Sequence, residues 1–572
     1  MNIGTTETSF LLLLYDYYGT ICVIVMQHRK ITGVDFIIMA AMIVFTIAVI
    51  CLPAEPYLST DRNGLFLSTD TDSYYYARLA LEYAGMKIRD FPIFQKKVLM
   101  PAIAAIIIKA TGINAHVVLS HLAAVILSLS VIPAYLFVTK RSTRFGGIAA
   151  GLSAALAPSF VEYACPGVFD TNALLALLPL CLITSLIECY EADTKKVRIL
   201  YAVSSAVSLA LISLAWSSWY IYALCAAGVM ITAVFINRSA AKALPLIAAA
   251  ILILLVSGRF TGIEKNIAKF GMYLNRSFSA LPGWPNPFET VAELRQLPFR
   301  LLVIYGGGLY YFICTLLGII IMIADRKKIG KLTAFSLPIW FACGAVFAII
   351  AMRFTELAVL PASLITGFLA GLVPEKICEI FDLEEGRRRK ILITMFTLIL
   401  CISIVTGPVL YSYQKVMEGR NDRLIPEKLS DACMFLREET PGDAIIVSWW
   451  DLGYYYQYAA GRQTVADGGN HDGYINVMLA RGLMNADSDA AKGCFDELIG
   501  NNSGRDRYLL ITKDMLNKSD AISYFANWDR NRAADDLPRD DLLMYRLFTE
   551  EKDSQGVFDL KYSNDYVKVY SF

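Results

Sequence analysis

The stretch Ser448-Trp449-Trp450-Asp451-Leu452-Gly453-Tyr454 divides the chain. It stands just after the last long apolar span, in the one large polar region. It begins where the apolar run Ala444-Ile445-Ile446-Val447 ends, and that run reads as a buried strand. Two adjacent indoles and a carboxylate then leave the strand end together, followed by a Gly turn, the kind of place where a scaffold displays side chains to a ligand. The Trp rings offer apolar walls with one donor each, and the Asp offers an acceptor. Together they suit a small hydroxyl-bearing group. The same residues also suit a buried Trp pair in a core, with a turn-forming Asp before Gly. Taken alone, the stretch reads better as the core pair.

Most of the chain before this stretch is apolar. Of 572 residues, 56% are hydrophobic and 18% charged, against about 25% charged in soluble domains. The composition predicts a polytopic membrane protein with room for one soluble domain. A net charge of +1 gives no global bias toward nucleic acid. The twelve cysteines fall mostly inside apolar spans, as small hydrophobes. Of the three in polar stretches, Cys165, Cys433 and Cys494, the last two leave a disulfide open. The four histidines form no metal-ligand pattern. The first apolar run, Phe10 to Met26, lacks a basic leader and a small-residue cleavage site, so no cleavable signal peptide is expected.

Stretches of roughly 20 apolar residues mark membrane helices. They are read at 34–53, 117–138, 145–160, 173–190, 199–215, 216–236, 243–257, 301–324, 333–352, 355–373 and 391–411. The basic clusters Gln27–Lys30, Lys140-Arg141, Lys195-Lys196, Arg238, Arg326–Lys328 and Arg387–Lys390 then all fall on one side, which sets that side as cytoplasmic. The opposite, extracytoplasmic side receives 54–116, 161–172, 258–300 and everything after 411. Val98 to Lys109 is apolar but short and is placed in the outer interface. The division is therefore a transmembrane domain over 1–411, with long external loops 54–116 and 258–300, and an extracytoplasmic domain over 412–572. At about 160 residues this is a domain of ordinary size. Pro426–Glu439 reads as an amphipathic helix, and Ala444–Val447, Thr464–Ala466 and Tyr508–Thr512 as strands. Helical patterns alternate with the strands, so the domain is α/β.

Acidic residues gather on the outer side near span ends: Asp70-Thr71-Asp72, Asp170-Thr171-Asn172, and Glu289 to Glu293. The oxygens of Asp170 and Asn172 suit a hard cation, or an ordinary turn or helix cap. Arg353 sits alone between two spans, where a cation suits an anionic headgroup or diphosphate, or a snorkelling anchor. Metal, diphosphate-binding Arg and carboxylates together fit group transfer from a lipid-linked donor.

From about Asp72 to Trp528 the chain resembles the catalytic subunit of oligosaccharyltransferase, the N-glycosylation enzyme family of bacteria, archaea and eukaryotes. Trp449-Trp450-Asp451-Leu452-Gly453 is similar to the family's WWDYG signature, with Leu452 in place of Tyr. Asp467-Gly468-Gly469-Asn470-His471 looks like a family segment. Asp72 matches the acid of the first external loop, Asp170 and Asn172 the second metal motif, and Thr290-Val291-Ala292-Glu293 the TIxE motif of the fifth external loop. Arg353 matches an arginine near the donor's phosphates. On a helix Asp514–Trp528, Met515, Lys518 and Ile522 share one face and resemble a mixture of the family's Met-Ile and Asp-Lys signatures. Tyr163 stands where some bacterial members carry Arg.

The resemblance implies a GT-C type glycosyltransferase with about 11–13 transmembrane helices, followed by the extracytoplasmic α/β domain, in the cell membrane of a prokaryote. It implies transfer of a glycan from a polyprenyl phosphate or diphosphate to the Asn side chain of an Asn-x-Ser/Thr polypeptide, with inversion. Asp72 and Glu293 would be catalytic. Asp72, Asp170 and Asn172 would hold Mn²⁺ or Mg²⁺. Trp449, Trp450, Asp451, Met515, Lys518 and Ile522 would bind the acceptor, and Arg353 and His471 the donor phosphate. A related GT-C enzyme using a polyprenyl-phosphate sugar with a lipid or glycan acceptor shares the outward acidic loops but has no need of the Trp-Trp-Asp pocket. A transporter would bury its charges mid-span rather than at the rim.

Overall fold

The computed structural model describes residues 31–53, 60–61, 63–66, 68, 70–92, 98–237, 271, 284–285, 291–294, 296–381, 386–421, 425–470, 473–500, 504–528 and 539–572. Its first two-thirds are helices assembled around one of them, Thr355–Ile380. That helix is apolar on every side and buried along nearly its whole length, as expected of a helix at the centre of a bundle. Arg144–Ala155, Leu309–Ala324, Lys331–Ile350 and Arg387–Asn421 pack around it.

Among the described residues, seven helical stretches are long and apolar enough to cross a membrane: Gly33–Cys51, Ala115–Arg141, Asn172–Glu191, Lys195–Ala215, Lys331–Ile350, Met352–Ile380 and Arg387–Glu418. The expected span 301–324 is instead two helices, Phe299–Tyr305 and Leu309–Ala324, set at 86°. The break falls at Gly306-Gly307-Gly308, where Gly307 and Gly308 take φ of 114° and 97°, a region that other residues rarely adopt. The expected spans 145–160 and 216–236 are shorter helices, Arg144–Ala155 and Tyr220–Asn237. Phe10–Met26 and 243–257 lie outside the described residues. Leu99–Thr111, from the stretch expected at the interface, has 13 residues; at about 1.5 Å each it falls short of a bilayer core of about 30 Å.

The helix ends sort into two groups. Arg141 donates to Glu188 at 2.5 Å and to Glu191 at 2.6 Å, and Lys376 pairs with Asp325 at 2.8 Å. These residues stand where the basic clusters lie. Asn172 begins the helix that ends at Glu191, and Arg353 precedes the helix that carries Lys376. Asn172 and Arg353 are therefore at the ends opposite the basic clusters.

The C-terminal part carries a five-stranded sheet in the order β2-β1-β3-β5-β4. Strands β1 (Ile445–Val447), β2 (Gln463–Thr464) and β3 (Arg507–Thr512) are parallel; β1 and β3 lie where the apolar runs place them, while β2 shares only Thr464 with the strand expected over Thr464–Ala466. The antiparallel pair β4 (Asp559–Ser563) and β5 (Val567–Ser571) extends the sheet past β3 and is not foreseen above. Glu427–Glu439 is helical with Leu429, Cys433 and Leu436 buried. Cys433 is a free buried thiol, so no Cys433–Cys494 bridge forms.

An aromatic seam fastens the sheet-bearing part to the first long loop. Tyr74 meets Tyr455 at 4.8 Å and Tyr458 at 5.5 Å, and Tyr75 meets Tyr454 at 4.9 Å between ring centroids. The Tyr458 hydroxyl accepts from the Phe66 N–H at 3.1 Å. Helix Asp72–Gly85 is thereby docked on helix Gly453–Ala459, which follows directly from the Trp-Trp-Asp turn.

Candidate functional site

After β1 the chain makes a single 3₁₀ turn over Trp450–Leu452 and enters helix Gly453–Ala459. Gly453 is required there, because a Cβ would lie 2.2 Å from the Ala466 carbonyl oxygen. Trp449 is buried against Phe525 at 5.8 Å, with Trp450 beside it at 6.4 Å. Trp450 is half-buried, and among the described residues its indole N–H has no acceptor.

The Asp451 carboxylate accepts from Lys518 Nζ at 2.5 Å, and Lys518 Nζ also lies 2.5 Å from Asp514 Oδ2. Burial pushes the Asp451 carboxyl up, and Lys518 opposes it. Burial also acts against the Lys518 ammonium, but Asp451 and Asp514 outweigh it and its pKa is raised. The helix expected over Asp514–Trp528 is two, Lys513–Asn517 and Ser519–Ala526, broken at Lys518, which frees Lys518 to reach across. Met515 lies under the strand end, its sulfur 3.6 Å from the Ser448 hydroxyl and 3.5 Å from the Thr512 N–H. Ile522 is fully buried in the same apolar cluster as Trp449. Of the three residues expected at the acceptor site, Lys518 reaches Asp451, while Met515 and Ile522 are buried in the core beneath the turn.

Asp72 is the first residue of helix Asp72–Gly85, and Asn172 the first of Asn172–Glu191. The two loops are stitched together: the Phe169 N–H donates to Ser73 Oγ at 2.9 Å, and the Tyr76 and Thr171 hydroxyls stand 3.4 Å apart. Asp170 is buried, accepting from the Thr171 hydroxyl at 3.1 Å. Asp70, in the same acidic run, accepts from the Ser73 N–H at 3.1 Å. Burial, then Asp72 and Asp170, push the Asp70 carboxyl well above the usual range.

Asp72 also touches the sheet-bearing part. A Cβ on Gly468 would lie 3.2 Å from Asp72 Oδ1. The loop carrying Gly468 is held by Asp467, which accepts from Gln457 Nε2 and from the Gly469 N–H, each at 2.9 Å. Gln457 lies on the helix that begins at Gly453. Asp72 therefore lies beside this loop, and the Tyr74–Tyr455 and Tyr75–Tyr454 contacts hold its helix against the helix that follows the Asp451 turn. His471 lies outside the described residues.

Glu293 sits on a single turn, Ala292–Leu294, and Arg353 on another, Met352–Phe354, packed against it. Arg353 Nη1 donates to Glu293 Oε1 at 2.8 Å, and Tyr163 Oη lies 3.4 Å from Glu293 Oε2. The Arg353 guanidinium stands 6.0 Å from the Trp216 ring. The structure therefore joins Glu293 to Arg353 and Asp72 to the Asp451 turn. Sequence reasoning missed Asp70 and Tyr163 as members. The acidic run 70–72 held a signal for the first, and the second was marked only by standing where some family members carry Arg.

The chemistry of Asp72, Asp170 and Asn172 fits a divalent metal. All three offer hard oxygen ligands, and the negative charge of Asp72 and Asp170, which adds to burial in lifting Asp70, is charge such an ion relieves. Among the described residues, no three His, Cys, Asp or Glu side chains already converge as a metal site. The fit therefore lies in the oxygen donors and their charge.

Two family models match the chain: "Oligosaccharyl transferase STT3, N-terminal" over residues 36–406 and "STT3/PglB/AglB core domain" over 442–494. The chain belongs to the STT3 oligosaccharyltransferase family. The core-domain match contains both the Trp-Trp-Asp turn and the Asp467-Gly468-Gly469 loop. A dolichyl-phosphooligosaccharide-protein glycotransferase of Methanococcus voltae is 20% identical over 486 residues, 65% of this chain and 52% of that protein. The chain thus spans about half the length of this curated relative. The fold is similar to that of the archaeal oligosaccharyltransferase AglB from Archaeoglobus fulgidus, solved with an inhibitory peptide and a dolichol-phosphate. The TM-score is 0.69 at 15% identity, over 93% of this chain and 79% of that one. It is also similar to ArnT from Cupriavidus metallidurans bound to undecaprenyl phosphate. There the TM-score is 0.54 at 12% identity, over 94% and 98% of the two chains.

Proposed function

We propose that this STT3-family chain transfers a glycan from a polyprenyl phosphate or diphosphate to the Asn side chain of an Asn-x-Ser/Thr polypeptide, inverting the anomeric carbon. The observation that carries the reading is the docking of the helix that Asp72 opens on the helix that follows the Asp451 turn, through Tyr74 and Tyr455 at 4.8 Å and Tyr75 and Tyr454 at 4.9 Å. It supports a clamp for a hydroxyl and a carboxylate for an amide on neighbouring elements, as an acceptor with Asn and Ser/Thr two residues apart requires.

An amide nitrogen is a poor nucleophile because its lone pair is delocalised into the carbonyl. Asp72 and Glu293 each accept one N–H of the acceptor Asn and hold the nitrogen out of that resonance. Trp449 and Trp450 wall the Ser/Thr side chain, and Asp451 accepts its hydroxyl. Lys518 keeps Asp451 ionised, with Met515 and Ile522 supporting from below. Arg353 and His471 take the donor phosphate. Asp72, Asp170 and Asn172 would hold Mn²⁺ or Mg²⁺, which when bound stabilises charge on the leaving phosphate. The transmembrane domain is 1–411 and the soluble domain 412–572, and the site faces the extracytoplasmic side of a prokaryotic cell membrane.

Mass spectrometry of sequon peptides from cells with and without the gene tests this. Glycosylated Asn present only with the gene is the expected result. Bare sequons in both, with the glycan instead on lipid, would favour a polyprenyl-phosphate glycosyltransferase acting on lipid.

A further inference from the structure

We propose that Tyr163 is a positioning residue for Glu293: its hydroxyl holds one carboxylate oxygen while Arg353 holds the other, so that Glu293 stays aimed at the acceptor when the donor's phosphate claims Arg353. The inference rests on the roles proposed above for Glu293 and Arg353.

The geometry is a carboxylate held from two sides. Oε1 accepts from Arg353 Nη1 at 2.8 Å, and Oε2 faces Tyr163 Oη at 3.4 Å. The two partners come from different parts of the chain. Tyr163 follows the single helical turn Pro158–Val161, its N–H bonded to the Phe160 carbonyl at 3.1 Å. Arg353 lies before the central helix. Glu293 itself sits on one 3₁₀ turn, too short to orient a side chain alone.

The two partners differ in kind. A guanidinium is a permanent cation and pairs with carboxylate or phosphate alike. When a phosphate arrives, Arg353 is drawn to it and its hold on Glu293 weakens. A phenol carries no charge to give to the phosphate. Burial, and next the Glu293 carboxylate, hold the Tyr163 phenol well above the ordinary tyrosine range, so it keeps its proton. A carboxylate only accepts, so the bond runs from Tyr163 to Glu293. At 3.4 Å the contact is long, as such bonds often are before substrate arrives. A neutral donor here leaves Glu293 its full charge for the Asn N–H, which a second arginine would cancel.

Tyr163→Phe removes the hydroxyl and keeps the ring. In detergent-solubilised full-length enzyme with Mn²⁺, a polyprenyl-linked glycan and a sequon peptide, kcat should fall roughly tenfold. Peptide KM and the affinity for polyprenyl phosphate should stay at wild-type values. Tyr163→His, which restores an N–H donor, should recover part of the lost kcat. Wild-type kcat in Tyr163→Phe would overturn the inference, as would equal losses in kcat and phosphate affinity, or no recovery in Tyr163→His when both variants melt as wild type does. If wild-type enzyme itself modifies no sequon peptide, the proposed function falls and takes this inference with it. An active wild type with an unaffected Tyr163→Phe removes the inference alone.

Discussion

Lys518 engages Asp451 Oδ2, which leaves the carboxylate acceptor sites for a hydroxyl. Asp451→Ala should weaken sequon-peptide binding by about 1.5–3 kcal/mol, the usual worth of a hydrogen bond to a charged group, and erase the preference for Thr over Val at the third sequon position. Peptide titration by calorimetry reads both. Lys518→Met removes the cation that opposes burial at Asp451. The Asp451 carboxyl then rises further, and since hydroxyl binding uses the ionised form, peptide binding should begin to fail at higher pH than in wild type. An unchanged pH profile would separate Lys518 from Asp451. Sequence could supply Asp451, because strand end, aromatic pair and acid are contiguous. It could not supply the Glu293–Arg353 pair, 60 residues apart, nor Tyr163, since a phenol near a span end has many ordinary explanations.

At the scale of elements, Gly453 and the aromatic seam hold the site together. Gly453→Ala puts a methyl against the Ala466 carbonyl and the Asp467 backbone. Neither is a flexible side-chain end, so the variant should lose about 1–3 kcal/mol, as overpacked cores do, visible as a lowered Tm. Tyr74 is fully buried in the seam, and Tyr74→Ala should cost about 3–5 kcal/mol by the measure of large aromatic truncations. Strands β1 and β3 were legible because each buries an apolar run beside turn residues. The β4–β5 hairpin was not, because β4 alternates charged and half-exposed residues, Asp559-Leu560-Lys561-Tyr562, and so reads as loop. The bend at Gly306-Gly307-Gly308 was legible in principle: three glycines interrupt an otherwise apolar span. The broken helix at Lys518 carried no Gly or Pro to announce it.

At the scale of the molecule, the parallel ordering of charge is what the sequence revealed best. Basic clusters at one set of helix ends and acids at the other follow from counting spans, and the ion pairs of Arg141 and the stitched loops of Asp72 and Asp170 agree with that sorting. What the count could not supply is how the sheet-bearing part sits on the helices, because that depends on tyrosines hundreds of residues apart. A divalent metal bound by the acidic loops should raise the Tm of the whole protein, since a ligand that binds only the folded state stabilises it. Asp170→Asn should lose most of that gain, as thermal melts with and without Mn²⁺ would show. The most direct measurement is transfer by the purified chain, given Mn²⁺, a polyprenyl-linked glycan and paired peptides that differ only in Ser/Thr versus Ala at the third sequon position. The account predicts a glycan on Asn of the first peptide, none on the second, and none on either with Asp72→Ala. Equal modification of both peptides, or of neither while both donor and peptide bind, would contradict it.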